Sequence, residues 1–409
     1  MDGYKMKTPL RHIHIDRTDP AGSVLLYPEY ADTICEINVG RLYHNIDILE
    51  EIAGGKDKVT AVLKANAYGH GAVPLMGYLL DYGVTRYAVA NLWEALELRG
   101  SHREGRIHVL GRTPDTGLKL AAENDVAVSV SELDQVMRMK ETGAVAEFYI
   151  KVDTGMHRFG LPCDETGVAE AAAMAEAGGE RCLGVFSHLA QKDEDSDREQ
   201  DRRFRWFLRE WEAAAGRVVE PAVKVGPAVK SGAGPAAEAH ILESHTALRY
   251  PDLTYSAVRA GAVLYGYGDH PDLLPVMTLR SRVCAMRRVE GGEGVGYGLR
   301  DRADHSRWIA VLPVGYADGI PSALGHGKGF VTICGKRAPY VGGLSMDSSL
   351  VDVTGIQGVK PGTPVTVFGT GSRDMTFVKA AQLSGRMRPE LQAGLARRIP
   401  RVYETERRR

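Results

Sequence analysis

The chain has 409 residues, 44% apolar and 25% charged, enough for a large buried core and, at roughly 150 residues per domain, for two domains. Fifty-one Lys and Arg stand against 52 Asp and Glu, and a net charge of -1 argues against a global cationic field that recruits nucleic acid or an anionic membrane. No apolar run approaches the about 18 residues of a spanning helix, the polar opening lacks the apolar stretch of a secretory signal, and the five cysteines are widely spaced; a cytoplasmic chain with isolated thiols and no metal motif is expected.

Residues 1–30 mix charge, proline and glycine without periodicity and read as a tail or an edge element. From Ile34 onward short apolar or β-branched runs alternate with helical patterns. Buried parallel strands are expected at 60–63, 86–90, 106–110, 126–129, 146–152, 183–187, 239–243 and 260–264. Helices are expected at 92–99, 132–141 and 197–215, the last from Phe204, Phe207, Leu208 and Trp211 on one face, with Ser196 and Glu199 as a capping box. Eight such units over roughly 235 residues match an α/β chain folded as a (β/α)8 TIM barrel over 31–270, although an open doubly wound sheet has the same rhythm. The stretch 218–235 carries too many prolines and glycines for a crossover helix and reads as a surface excursion. After about Pro271 short strands separated by Gly and Pro predict a mostly β C-terminal domain over 271–409, with a last helix near 389–396.

Lys64, in AVLKANAYGHG, directly follows an apolar run. The C-terminal strand ends of a barrel line its active site, so this ammonium would point into the mouth. Burial and neighbouring cations would lower its pKa and make it a competent Schiff-base nucleophile. A rim lysine in a salt bridge fits the same position, so Lys64 alone identifies no cofactor.

Further along lie KVDTGMHRFG, FSHLA, VRAGAVLYG, GYGLR, VLPVGYADG and LSMDS. Together with the lysine segment they resemble the fold-type III alanine racemases that use pyridoxal phosphate, over nearly the whole chain from about Ile34 to Tyr403. The resemblance implies an enzyme that interconverts L- and D-alanine, a homodimer with shared active sites, and Lys64 as the cofactor-linking lysine and first base. Racemisation removes the α-proton from one face and returns one to the other, which takes two positioned bases. By resemblance the second is Tyr297, contributed by the other subunit. A free phenol has a pKa of about 10, so such a base needs cationic support, and the resemblance puts His188 beside it. The same source directs Arg259 to the ring nitrogen of the cofactor, assigns the phosphate to the hydroxyls of Tyr68 and Ser244 and to the backbone of Gly261 and Ala262, and sets Arg158 near the substrate carboxylate with Lys151, carbamylated in some relatives, behind it. From the partner subunit it implies Tyr316 at the entrance, Met346 beside the substrate carboxylate, and Asp347 nearby.

Two positions depart from the resemblance. Glu243 replaces a usual Asn next to Ser244, and its carboxylate must turn away from the phosphate. Pro389 stands where a tyrosine usually touches the phosphate and limits substrate size. A larger pocket would admit serine, so a serine or dual alanine/serine racemase is an alternative, as is a non-catalytic pyridoxal-phosphate-binding protein. Proteins of that last kind generally lack the β domain that this chain carries.

Overall fold

A computed structural model of the chain describes residues 31–219 and 236–405. The expected tail at 1–30 and all but the start of the 218–235 excursion lie outside the described residues. Eight parallel strands follow the expected rhythm: β2 (Val59–Val62), β3 (Arg86–Val89), β4 (Arg106–Arg112), β5 (Val126–Val130), β6 (Phe148–Asp153), β7 (Cys182–Phe186), β8 (Ala236–His240) and β9 (Val258–Ala260). They pair in the order β9-β2-β3-β4-β5-β6-β7-β8. A parallel bridge between Glu243 and Arg259, with the Ser256 N–H on the Ala239 carbonyl at 2.8 Å, brings β8 to β9 and closes the sheet. Closure excludes the open doubly wound sheet, and every residue of β2 and β5 is buried, as strands covered on both faces require.

The expected bounds shift in three places. Strand β8 ends at His240, before the expected 239–243 segment is complete, because Glu243 caps the helix Ser244–Arg249. Strand β9 ends at Ala260, and 262–265 forms a 3-10 turn whose Tyr265 hydroxyl donates to the Val62 carbonyl at 2.9 Å. The run is wholly buried either way, and burial alone does not separate the two backbones. The long helix starts at Glu194, capped by Asp193, whose carboxylate accepts the Ser196 N–H at 2.8 Å. Ser196 is therefore inside the helix, not its cap, and Glu199 pairs with Arg202 and Arg203 at 2.6 and 3.0 Å. Phe204, Phe207 and Trp211 of this helix are fully buried, as their spacing predicts.

The first strand does not join the barrel. Strand β1 (Ile34–Asn38), inside the 31–270 range expected for the barrel, pairs antiparallel with β10 (Met277–Arg282) and parallel with the chain's last strand, Arg401–Glu404. It thus lies in the six-stranded sheet of the C-terminal domain, where Cys35 and Ile37 are buried. A second, three-stranded sheet holds Ala285–Val289, Arg307–Leu312 and Ser349–Asp352. The last helix covers Arg388–Ala393. No helix among the described residues is long and apolar enough to cross a membrane.

Candidate active site

Lys64 lies one residue beyond Leu63 at the C-terminal end of β2, and the chain after it takes an unusual course. Ala65, Asn66, Ala67 and Tyr68 all have positive φ, between 52° and 55°, making a left-handed turn without a glycine until Gly69. Each such residue costs roughly 1–2 kcal/mol, so the surroundings must hold the turn. The Glu94 carboxylate accepts the Ala65 N–H at 2.7 Å and the Ala90 N–H at 2.8 Å. Asn66 Oδ1 accepts the Ala72 N–H at 2.8 Å. A Cβ on Gly69 would lie 2.0 Å from the Gln392 carbonyl oxygen, so only glycine permits that close approach at φ +82°. Burial and the Arg158 charge lower the Lys64 pKa, with a further contribution from Arg259. The amine is thereby shifted toward the neutral form a nucleophile or base needs.

Arg259, on β9, is buried at the barrel centre. One terminal nitrogen is bonded to His240 Nδ1; the other donates to the carbonyls of Ser187 and Ile241 at 2.7 and 2.9 Å and lies 3.2 Å from His188 Nδ1. Burial lowers its pKa to about 10, so it remains charged at neutral pH. His188 follows β7 at the same rim. Burial and the cations Arg259, Arg158, Lys151 and Lys64 push its pKa down to about 2. The imidazole is thereby held toward its neutral form, with Nδ1 turned to Arg259 and Nε2 left to face the mouth. Lys151, on β6, is buried, donates to the Val152 carbonyl at 2.7 Å, and is pushed down to about 7 by burial and by Arg259 and Arg158. Arg158 is exposed at this rim, and its charge is felt by Lys64, Lys151, His188 and Arg259.

Beside these cations three segments, following β2, β8 and β9, make a cradle of donors. Gly261, after β9, gives its N–H to Ser244 Oγ at 2.5 Å. A Cβ there would lie 2.7 Å from Tyr68 Oη and 3.7 Å from Ser244 Oγ, so the three groups enclose a space kept open by a hydrogen. Ala262 follows at the start of the 3-10 turn. The Glu243 carboxylate is turned away as its position demands: its Oε1 accepts the N–H groups of His245 and Thr246, both at 2.9 Å. Burial and the Glu243 charge raise the Tyr68 pKa to about 12, so its hydroxyl stays a donor. Two hydroxyls at a glycine turn, close to a lysine of lowered pKa, fit a phosphate monoester carrying an aldehyde.

The remaining expected residues lie on the β domain and face outward. Tyr297 is 81% exposed, Met346 53% and Tyr316 46%, with Leu299 beside Tyr297 at 54%. The Tyr316 and Ala317 N–H groups bond to the carbonyls of Ser345 and Met346, both at 3.0 Å, which ties the two segments into one surface. Asp347 pairs with Arg398 at 2.6 Å, and Arg398 also pairs with Asp318 at 2.7 Å. No hydrogen bond, ion pair or ring contact among the described residues links Tyr297 to Lys64 within one chain.

The family models "Alanine racemase, N-terminal domain" and "Alanine racemase, C-terminal domain" match residues 37–269 and 276–403. The chain belongs to the alanine racemase family. It is 33% identical over 380 residues to the alanine racemase of Desulforamulus reducens, covering 90% of this chain and 98% of that protein. Among solved structures it resembles the alanine racemase of Clostridium difficile 630 with a TM-score of 0.81 and 28% identity, covering 91% of this chain and 96% of that one. It also resembles the alanine racemase of Bartonella henselae with covalently bound pyridoxal phosphate, with a TM-score of 0.76 and 25% identity over 91% of this chain and 100% of that one. Sequence reasoning missed Glu94, His240 and Gln392. Their signal was weak: Glu94 sits in an ordinary helical pattern, and nothing local shows that its carboxylate crosses to the strained turn.

Proposed function

We propose that this member of the alanine racemase family interconverts L- and D-alanine with pyridoxal phosphate bound in the barrel mouth, using Lys64 and the Tyr297 of a second copy as the two bases. The observation that carries the reading is the convergence of Lys64, Arg259, His188 and the Tyr68–Ser244–Gly261 cradle at one end of the barrel, in a chain that matches both family domains throughout. When bound, the cofactor withdraws electrons from the substrate α-carbon and so makes its proton acidic. Tyr68, Ser244, Gly261 and Ala262 would hold the phosphate, and Lys64 the aldehyde carbon. Arg259, charged and anchored by two neutral histidines, would donate a hydrogen bond to the ring nitrogen without surrendering its proton, which limits electron withdrawal and favours simple proton return over transamination.

Lys64 Nζ, shifted toward neutrality, would take or return the α-proton on one face. Tyr297 Oη would do so on the other. Its exposure in the single chain, shared by Leu299, Tyr316 and Met346 of the same domain, supports a surface completed by a homodimer. The neutral His188, donating from Nε2, would stabilise negative charge on that phenol oxygen, with Arg259 behind it supplying the positive field. Arg158 would pair with the substrate carboxylate from the barrel side, and Met346, Asp347 and Tyr316 would shape the entry from the partner side.

Chiral product analysis with L-alanine and L-serine in the presence of added pyridoxal phosphate tests the reading. The expected result is D-alanine formation, lost in Lys64→Ala together with the visible absorption of the lysine-linked cofactor. Absence of D-alanine from cofactor-loaded protein overturns it. Pro389, without any side-chain donor, motivates serine as the second substrate to try; a kcat/KM for serine about tenfold above that for alanine would reverse the assignment.

A further inference from the structure

Arg388 opens the short helix Arg388–Ala393, and its guanidinium carbon lies 4.0 Å from the centre of the Tyr267 ring. Its Nη1 donates to Gln392 Oε1 at 2.7 Å. These two contacts set the cation between the loops that build the donor cradle. On one side the Gln392 carbonyl presses against Gly69, the residue after Tyr68. On the other the Tyr267 N–H bonds to the Ala262 carbonyl at 3.1 Å, one residue from Gly261.

The anions near this cation are already engaged. Glu390 faces Arg386 at 3.6 Å, and the Glu243 carboxylate caps its own helix. Among the described residues no carboxylate pairs with Arg388. Its ring contact and partial burial leave a guanidinium short of the anion that normally compensates its desolvation. Burial lowers its pKa, and its charge is felt at the Tyr68 hydroxyl, which confirms that cation and cradle share one region. A guanidinium beside two hydroxyls and backbone donors is a combination suited to phosphate.

We propose that Arg388 is a further cofactor-binding residue, the cationic member of the cradle that contacts the phosphate of bound pyridoxal phosphate. The assignment rests on the cofactor reading above and adds to it a residue from the C-terminal helix. It also ties that helix to the occupancy of the site.

The test is equilibrium binding to the full chain freed of cofactor, titrated by absorbance with pyridoxal phosphate and with pyridoxal, which lacks the phosphate. Arg388→Gln is expected to weaken pyridoxal phosphate roughly tenfold or more while changing pyridoxal less than about twofold, with partial rescue in Arg388→Lys. Equal weakening of both ligands would assign Arg388 to packing against Tyr267 and overturn the proposal, as would unchanged binding of pyridoxal phosphate. Tyr68→Phe separates this failure from failure of the cofactor reading. If Tyr68→Phe selectively weakens the phosphorylated ligand and Arg388→Gln does not, only the arginine assignment falls; if neither does, the phosphate cradle itself is misplaced.

Discussion

Gly261→Ala perturbs the cradle by a single methyl group. Its Cβ would stand 2.7 Å from Tyr68 Oη, about 0.7 Å inside ordinary contact. Tyr68 has little room to yield, because it is rooted in the left-handed turn and its ring packs on Tyr265 at 5.1 Å. The hydroxyl is therefore displaced from the phosphate position. Loss of one hydrogen bond to a charged group is worth about 1.5–3 kcal/mol, or roughly a 10- to 150-fold increase in the Kd for pyridoxal phosphate. At φ -109° and ψ -91° the glycine also lies outside the backbone regions that alanine prefers, so the melting temperature of the cofactor-free protein should fall, and only the comparison of two ligands isolates the effect on the phosphate. Absorbance titration with pyridoxal phosphate and pyridoxal reads the effect directly. Unchanged affinity for the phosphorylated ligand, or an equal loss for both, would refute the reasoning.

Three further perturbations follow from the same geometry. His70 and His108 are buried with pKa values pushed down to about 3, and burial lowers that of His240 as well. With His188 these make four positions at which the unfolded chain binds protons near pH 6.5 and the folded one does not, so stability is complete above that pH and falls by up to about 5 kcal/mol per pH unit below it; His108→Asn should remove about a quarter of the slope in urea unfolding, and an unaltered slope would contradict the assignment. Glu94→Gln retains only one acceptor for the Ala65 and Ala90 N–H groups and should destabilise the turn by about 1.5–3 kcal/mol, read as a lower urea midpoint; no change would mean that the turn is held elsewhere. Lys151, at about 7, has enough neutral amine to add to carbon dioxide, and intact-protein mass spectrometry should show an acid-labile increment on that residue; an unmodified amine in active protein would exclude carbamylation.

The barrel was legible because its strands form short, mostly apolar runs at a regular spacing, and one crossover helix, with Phe204, Phe207 and Trp211 on a single face, carries a clear period. The fate of β1 was not, since a short apolar run does not reveal that its partners are Met277–Arg282 and Arg401–Glu404, more than two hundred residues away. In the site, Lys64 could be placed from the apolar run before it. The left-handed turn after it could not, because non-glycine residues adopt that conformation only when distant groups such as Glu94 and Gln392 hold them there. The low pKa of His188 could not be read locally either, because the cations that lower it come from other strands. Arg388 went unnoticed beside Pro389 because its environment is built by two loops remote in sequence.

The central claim is that one reaction chamber takes an amine from one copy of the chain and a phenol from another. Mixing inactive Lys64→Ala and Tyr297→Phe proteins under conditions that exchange subunits, then assaying alanine racemisation, tests this most directly. Random exchange places half of the subunits in mixed dimers, each with one intact chamber, so recovery to about a quarter of the unmodified activity is predicted. No recovery despite demonstrated exchange would contradict it and return both groups to a single chain.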